Sequence, residues 1–540
     1  MTKALHFKSI HQFLFPFIIT NSSFSLSEWM DNHKEWERQE MSIDCKHYGL
    51  YNYYHPKVEK LLFGENSGEI SQFHIQNFNY IMHKAQYELV VTKQDPQNSS
   101  ELTLDIPKDG ITLHILDDLK IGILCLTCYN YDYDEEDILI INEKGRRIFW
   151  PFVKCEQPCS KQQEHQCSNL STEIKPIFEG CNSFCDECAN KLILRVFSDE
   201  KTSISYEDDL KVIDFNNDPK YASFLLELLA GIKFRHIIDD RMFVCCHLES
   251  DIANELKDIW PLYNDACRNN YIPKIKDNQL AVINYWYRLC FVDIGISCQS
   301  EKLKAKLLEK ITYDRWMGYS TFYAYTNYSF IFLANKDVPD YLVDHFLLHY
   351  HNLLLILLFQ RACLIGFSEK VNKMSELIIE QKLQPKCSAQ KSKMLKIHLN
   401  NFRSDYILFI NKLWFDEITP QDQGIEMYEL GKNILGLEKQ KDSIRKDIDE
   451  FYQYSMQKEQ REQSDTLNLI SEIGAILLPI NFWLAFITHF DNLYSTLFGD
   501  IGFIGFSICF ASLRRFRIYT KVILIILSLI GFIHLYTVLF

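Results

Sequence analysis

Four cysteines have the spacing of a metal site. Cys155 and Cys159 form one short-range pair, and Cys185 and Cys188 form a second. Tetrahedral zinc is commonly held by two such pairs, because each closes only a short loop. The alternative is four reduced thiols without a metal. Cys125 and Cys128 are also close, but they sit in a β-rich apolar run where side chains alternate faces, and they read as core. His345 and His349 lie one helical turn apart, which suits either a metal or a structural pair. Arg146 and Arg147 follow Asn142-Glu143-Lys144-Gly145, read as a glycine turn after a strand over residues 138–141. Two guanidiniums can grip a phosphate, and a glycine lets the backbone approach it closely. Phe149 and Trp150 are placed to stack a base. Asp239-Asp240-Arg241 stands just before another strand. Either cluster can instead be internal ion pairing. The ligand-binding candidates are therefore Arg146, Arg147, Asp240 and Arg241. No nucleophile–base triad, phosphate loop or dinucleotide fingerprint accompanies them, so an enzyme is not expected.

These residues need a scaffold. A chain of 540 residues calls for two or three packing units. The net charge of −14 argues against a nucleic-acid polymer as partner. Seventeen cysteines, odd in number and scattered, fit a reducing compartment. Residues 13–19 are apolar and follow Lys3 and Lys8, as in a secretory signal. The run is short, contains Pro16 and lacks a small-residue cleavage site, so it reads as a first buried strand. The fold class expected is an α+β water-soluble part, with a β-rich N-terminal half and a helical second half. It precedes a long stalk helix and an α-helical membrane bundle. Strands are expected at 111–116, 120–128, 192–197 and 242–246, and helices over 250–420. Residues 345–367 are apolar enough to suggest a membrane span. His345, His349, His351, Asn352, Gln360 and Arg361 interrupt them, which favours a buried helix. The domains expected are 1–265 (sensor, with a cysteine-rich insert at 154–190), 266–420 (helical part), 421–466 (stalk) and 467–540 (membrane region).

Three apolar stretches close the chain, at about 467–488, 497–513 and 522–540, each near the ~20 residues that cross a bilayer. Arg514, Arg515, Arg517 and Lys521 lie between the second and third. The positive-inside rule makes that loop, and hence the water-soluble part, cytoplasmic. Before the first stretch, Met427, Leu430, Ile434, Leu437, Lys441, Ile444, Ile448, Phe451 and Ser455 recur in steps of three and four. This is a heptad seam with two polar breaks. A continuous helix from Gly424 into the membrane would rise roughly 95 Å over about 65 residues. Such a helix needs neighbours, either its own domain or equivalent helices in a homo-oligomer. Asn468, Ser471, Asn481 and Thr488 form a polar stripe suited to a pore or to helix–helix hydrogen bonds.

Several strings resemble a divergent bacterial group of the CorA family of ion channels and transporters. They are Ile141-Asn142-Glu143-Lys144-Gly145-Arg146-Arg147-Ile148, Asp239-Asp240-Arg241-Met242, the stretch from Arg315-Trp316 through Tyr328-Ser329-Phe330, Gln360-Arg361-Ala362 and Asn411-Lys412-Leu413-Trp414-Phe415-Asp416-Glu417-Ile418-Thr419-Pro420-Gln421-Asp422-Gln423-Gly424. The order of domains is similar too. The resemblance implies a homopentamer in the bacterial inner membrane. It further implies an antiviral, CRISPR-associated effector gated by a nucleotide second messenger, SAM-AMP. The family's Gly-Met-Asn outer-loop signature is absent, and only Asn492 is placed to match its asparagine, which counts against magnesium selectivity. The third apolar stretch is extra. The alternatives are a constitutive divalent-cation transporter of magnesium or cobalt type, and a membrane-anchored interaction protein without a pore. The transported cation is left open.

Overall fold

The computed structural model describes residues 7–21, 23–39, 48–64, 73–81, 86–94, 99–148, 152–154, 174–176, 192–197, 221, 223–268, 276–296, 298–383, 388–489, 493–512 and 518–539. The chain divides into two compact units, Met1–Arg445 and Lys446–Phe540. The first is β-rich in its N-terminal half and mainly helical beyond it.

The first unit is organised by strand β1, Ser9–Ile19, whose side chains are nearly all buried. Both faces of β1 must therefore be covered. Its odd-numbered residues face the helix Glu135–Gly145: His11 Nδ1 lies 2.8 Å from Asn142 Oδ1, and Phe13 packs on Gly145. Its even-numbered residues face the long helix His351–Leu383, where Gln12 meets His351 and Ile18 meets Gly366. Pro16 does not break the strand. Beside β1 on one edge, β12 (Phe243–Glu249) pairs with residues up to Leu14, and β11 (Phe234–His236) starts at Phe17. Pro16 falls in the gap between them, where its missing N–H removes no ladder bond on that edge. On the other edge β1 pairs along its length with β7, Ile121–Asn130.

Other strands extend the sheet to thirteen among the described residues. Beyond β7 lie β6 (Ile111–Leu116), β3 (Gln76–Tyr80) and β2 (Trp36–Arg38), and separately β5 (Ser99–Ile106), β4 (Gln86–Gln94) and β10 (Leu192–Phe197), while β8 (Phe152–Lys154) and β9 (Ile174–Pro176) pair apart from this sheet. Beyond β12 come β15 (Ser329–Ala334), β14 (Thr321–Tyr325) and β13 (Thr312–Tyr313). These last three correct the expectation of helices throughout 250–420. Each residue of β14 and β15 is buried, and a fully buried strand carries a continuous apolar run with no period of two to reveal it.

The segment over 138–141 corrects a second expectation, since it is helical. Asp134 caps the helix by accepting from the Asp137 backbone N–H, and Glu135, Glu136 and Asp137 fill its first turn, where acids favour a helix N-terminus. The β-branched isoleucines had suggested a strand.

The buried helix expected over 345–367 is present. Its segment Asp340–Glu380 is long and apolar enough to cross a membrane but is mostly buried within the unit. A five-residue π-helical turn, Phe346–Tyr350, precedes the regular helix His351–Leu383.

The stalk is not one helix from 421. Asp422–Leu435 ends at Gly436, whose φ of 65° puts it in the left-handed region that glycine tolerates. A new helix of 53 residues, Leu437–His489, starts there and rises roughly 80 Å. Leu437, Ile444 and Ile448 of the seam are buried, while Lys441, Phe451 and Ser455 are half-buried.

In the second unit, helices Leu493–Ser512 and Ile518–Leu539 pack on each other. Gly531 permits close approach, because a Cβ there would lie 2.9 Å from both Ile504 and Phe503. Asp500 is fully buried, with both carboxylate oxygens 3.0 Å from His534 Nδ1. The segment Thr520–Thr537 is long and apolar enough to cross a membrane and largely exposed.

Candidate functional site

The helix Glu135–Gly145 delivers the first cationic side chain. Its last residue lies against Phe13, where a Cβ would come within 2.5 Å of the ring. The glycine thus serves packing on β1 rather than a phosphate turn. The chain then leaves the helix. Arg146 O accepts from Met242 N at 2.6 Å, and Arg147 bridges Arg241 in antiparallel pairing. Two strings about a hundred residues apart are in this way fastened backbone to backbone.

Glu143 sits between their guanidiniums. Its Oε2 accepts from Arg146 Nη2 at 2.9 Å and Nε at 3.2 Å, and its Oε1 accepts from Arg241 Nη1 at 2.9 Å. Arg146 is buried and lies 5.5 Å from the centre of the Tyr328 ring, a cation–π contact. Asp240 stands 4.0 Å from Arg241, and its backbone N–H donates to Asp239 Oδ1 at 2.7 Å. Burial, together with the Asp240 side chain, holds the Asp239 carboxyl above its usual pKa. Arg361 approaches from the long helix and donates to Asn327 O at 2.8 Å. Burial depresses its pKa, and the nearby Asp239 carboxylate opposes that.

Glu143, Arg146, Asp239, Asp240, Arg241 and Tyr328 line a cleft of about 520 Å³, in the size range of small-molecule sites. Its far wall includes Val292, a β-branched residue at φ 52° that ends the helix Asp277–Phe291. A non-glycine residue in this region costs about 1–3 kcal/mol and must be held by its surroundings. Arg288 does part of that, donating to Ile294 O while pairing with both Glu136 carboxylate oxygens.

The cleft carries charge of both signs. Arg146, Arg241 and Lys144 face Glu143, Asp239, Asp240 and Asp293. An anion entering it meets guanidiniums already shared by one carboxylate, so it must exchange with Glu143 or add to the remaining donors. A ligand bearing both a cation and an anion meets partners for each.

Of the candidates named from sequence, Arg146, Asp240 and Arg241 meet here. Arg147 contributes its backbone bridge and is not part of the cleft lining. Phe149 and Trp150 lie outside the described residues, as do Cys155, Cys159, Cys185 and Cys188 of the zinc candidate. Among the described residues no cluster of three metal-binding side chains occurs. His345 and His349 meet edge to face with ring centres 4.6 Å apart and stand as a pair. On the helix Leu437–His489, Ser471 and Asn481 are exposed and Asn468 is half-buried. The side chain of Thr488 and all of Asn492 lie outside the description. Glu143, Tyr328, Asp239 and Arg361 were not singled out as site residues. All four stand in strings that carried the family resemblance, and that was the available signal.

No family model matches the chain, and neither a curated protein nor a solved structure matches it.

Proposed function

We propose that the chain is a CorA-like membrane ion channel, gated by a nucleotide second messenger that binds its water-soluble unit in the Arg146–Glu143–Arg241 cleft. The observation carrying this reading is the convergence of separate strings, 141–148, 239–242 and 328–330, with Arg361 beside them, on one small-molecule-sized cleft. Packing alone does not call for so many charged groups at one half-enclosed place. The mixed charge suits SAM-AMP, which combines a sulfonium cation with a phosphodiester. The role that follows is an antiviral, CRISPR-associated effector, not an enzyme.

The membrane part of the proposal rests on the exposed apolar segment Thr520–Thr537 and on the helices before it. In lipid, polar groups pair with each other, as Asp500 and His534 do. The basic residues Arg514, Arg515, Arg517 and Lys521 support a cytoplasmic water-soluble unit by the positive-inside rule, and the resemblance supports a bacterial inner membrane. The half-buried Phe451 and Ser455 and the exposed Ser471 and Asn481 of Leu437–His489 supply a face for further subunits of a homo-oligomer, pentameric by the resemblance, around a pore.

A second reading, a divalent-cation transporter regulated by its own ion, draws on the carboxylates Glu143, Asp239, Asp240 and Asp293 in the same cleft. Ion flux through proteoliposomes decides between them. The channel reading expects flux only with SAM-AMP added, weakened at least tenfold in ligand sensitivity by Arg241→Ala, since a charge-assisted contact is worth about 1.5–3 kcal/mol. Flux that ignores SAM-AMP and falls as magnesium rises favours the transporter. Absence of any flux leaves the membrane-anchored interaction protein.

A further inference from the structure

A second cavity lies on the other side of β1, between the sheet and the start of the long helix. Its volume is about 510 Å³. Sheet residues of β1, β3, β6 and β7 form its floor, and Leu347, Leu348, His351 and Asn352 form its wall. Among the described residues no lysine or arginine lines it, and the one carboxylate lining it is that of the exposed Asp109.

The polar floor is neutral, and its hydrogen bonds can be assigned a direction. Asn77 Nδ2 donates to Leu62 O, so Asn77 Oδ1 is the acceptor facing His114 Nδ1 at 2.7 Å. His114 Nδ1 therefore carries the proton, and its Nε2 accepts from the Thr112 hydroxyl at 3.1 Å. Gln12 Nε2 donates to Thr127 Oγ1, so Gln12 Oε1 accepts from His351 Nδ1 at 3.0 Å. In the neutral ring this leaves His351 Nε2 as a bare acceptor, with no hydrogen-bond partner among the described residues. Burial lowers the pKa of His114 to about 3 and of His351 to about 4, so both rings are neutral at physiological pH.

The wall is unusual as well. Leu347 and Leu348 belong to the π-helical turn Phe346–Tyr350. Such turns are less stable than regular helix and concentrate at functional sites. Here the turn places Leu348, 44% exposed, at a cavity that Phe63 and Tyr129 also line. The cavity thus offers apolar surface for a flat body, amide and hydroxyl groups for its edges, and one bare acceptor.

We propose that this cavity is a binding site for an uncharged nitrogen heterocycle of the nucleobase or nucleoside class, which donates an N–H to His351 Nε2. The charged cleft described above is a separate site, and the proposal does not rest on the channel reading.

The test is calorimetric titration of the full-length protein in nanodiscs with adenosine, adenine, guanosine and uridine. At least one is expected to bind. Adenine binding as tightly as adenosine identifies the free base as the unit recognised; adenosine alone identifies the nucleoside. His351→Ala is expected to weaken binding at least fivefold. Leu348→Trp, which fills the cavity from a partly exposed position and spares the core, is expected to abolish it. Arg241→Ala is expected to leave it unchanged, which separates this site from the cleft. The proposal is overturned if none of the four probes binds at millimolar concentration. It is equally overturned if Leu348→Trp, shown folded by circular dichroism, binds like the parent, or if Arg241→Ala removes the binding.

Discussion

The cleft at Glu143 and the cavity at His351 are of nearly equal size, and both adjoin the sheet built on β1. They bury polar groups in opposite ways. The cleft keeps its charges and pairs them: one carboxylate serves two guanidiniums, and a third cation, Arg361, is partly desolvated nearby. The cavity discards charge, with imidazoles held neutral by burial and closed into chains with amides and hydroxyls. Paired charges lose a great deal when one partner goes and respond to salt. Neutral chains are insensitive to salt and respond to acid instead. The contrast therefore shows in stability as well as in what each site can bind.

Acid should produce the largest effect. His114 and His351 have folded-state pKa values near 3 and 4, against about 6.5 in an unfolded chain. Their neutral forms favour the folded state, so the stability they contribute is complete above pH ~6.5. It is lost as pH falls towards 4, because only the unfolded chain then takes up protons. His11 and His349, also lowered to about 4 by burial, act in the same direction. Thermal melts between pH 7 and pH 4 should show a steep loss of melting temperature. The loss should be shallower in His114→Asn, and a melting temperature flat over this range would break the comparison.

Next comes Glu143→Gln. It leaves Arg146, which is 5% exposed, without its carboxylate, and removing one partner of a buried ion pair costs about 3–5 kcal/mol. Urea titration followed by tryptophan fluorescence should register a loss near the lower end, since Arg241 is more exposed. A loss under 1 kcal/mol would mean that the pair is solvated like a surface bridge.

A smaller change is expected from Gln12→Leu. It takes the acceptor from His351 and the donor from Thr127, both neutral contacts worth about 1 kcal/mol. The loss measured by the same titration should not vary between 0.05 and 0.5 M salt, unlike that of Glu143→Gln. The smallest effect is that of Tyr328→Leu, which removes the ring beneath Arg146 and should cost about 0.5–1 kcal/mol. If it also weakens the nucleotide binding proposed for the cleft, the ring faces the ligand as well as the arginine.

Much of the sheet could be read from the chain. Residues 13–19, 111–116 and 121–128 are apolar and β-branched enough to declare themselves strands. The histidines and Gln360-Arg361 correctly marked the long apolar helix as internal. Gln360 donates there to Leu413 O and Tyr428 OH, bonds that a lipid-facing helix would not offer. The helix ending in Gly145 was hidden because its isoleucines mimic a strand, and the information lay in Asp134 and the three acids after it. The continuous helix expected from Gly424 runs through Gly436, whose positive φ ends one helix and begins another. In the site, Arg146 and Arg241 were legible as cations in notable strings. That one carboxylate joins them was not, because the contact spans 98 residues and depends on the backbone pairing of Arg147 with Arg241.

The π-helical turn Phe346–Tyr350 also bears on how this chain tolerates changes in length. A π-turn holds one residue more than regular winding requires. Deleting a residue inside it lets the hydrogen bonds close to the ordinary spacing, and the helices before and after keep their rotational register. A deletion further along His351–Leu383 instead turns every later side chain by about 100°, carrying Gln360 and Cys363 off their buried face. Single-residue deletions tolerated near the start of this helix should therefore concentrate in these five residues, and each would reshape the wall formed by Leu347 and Leu348 while leaving the core behind it in place.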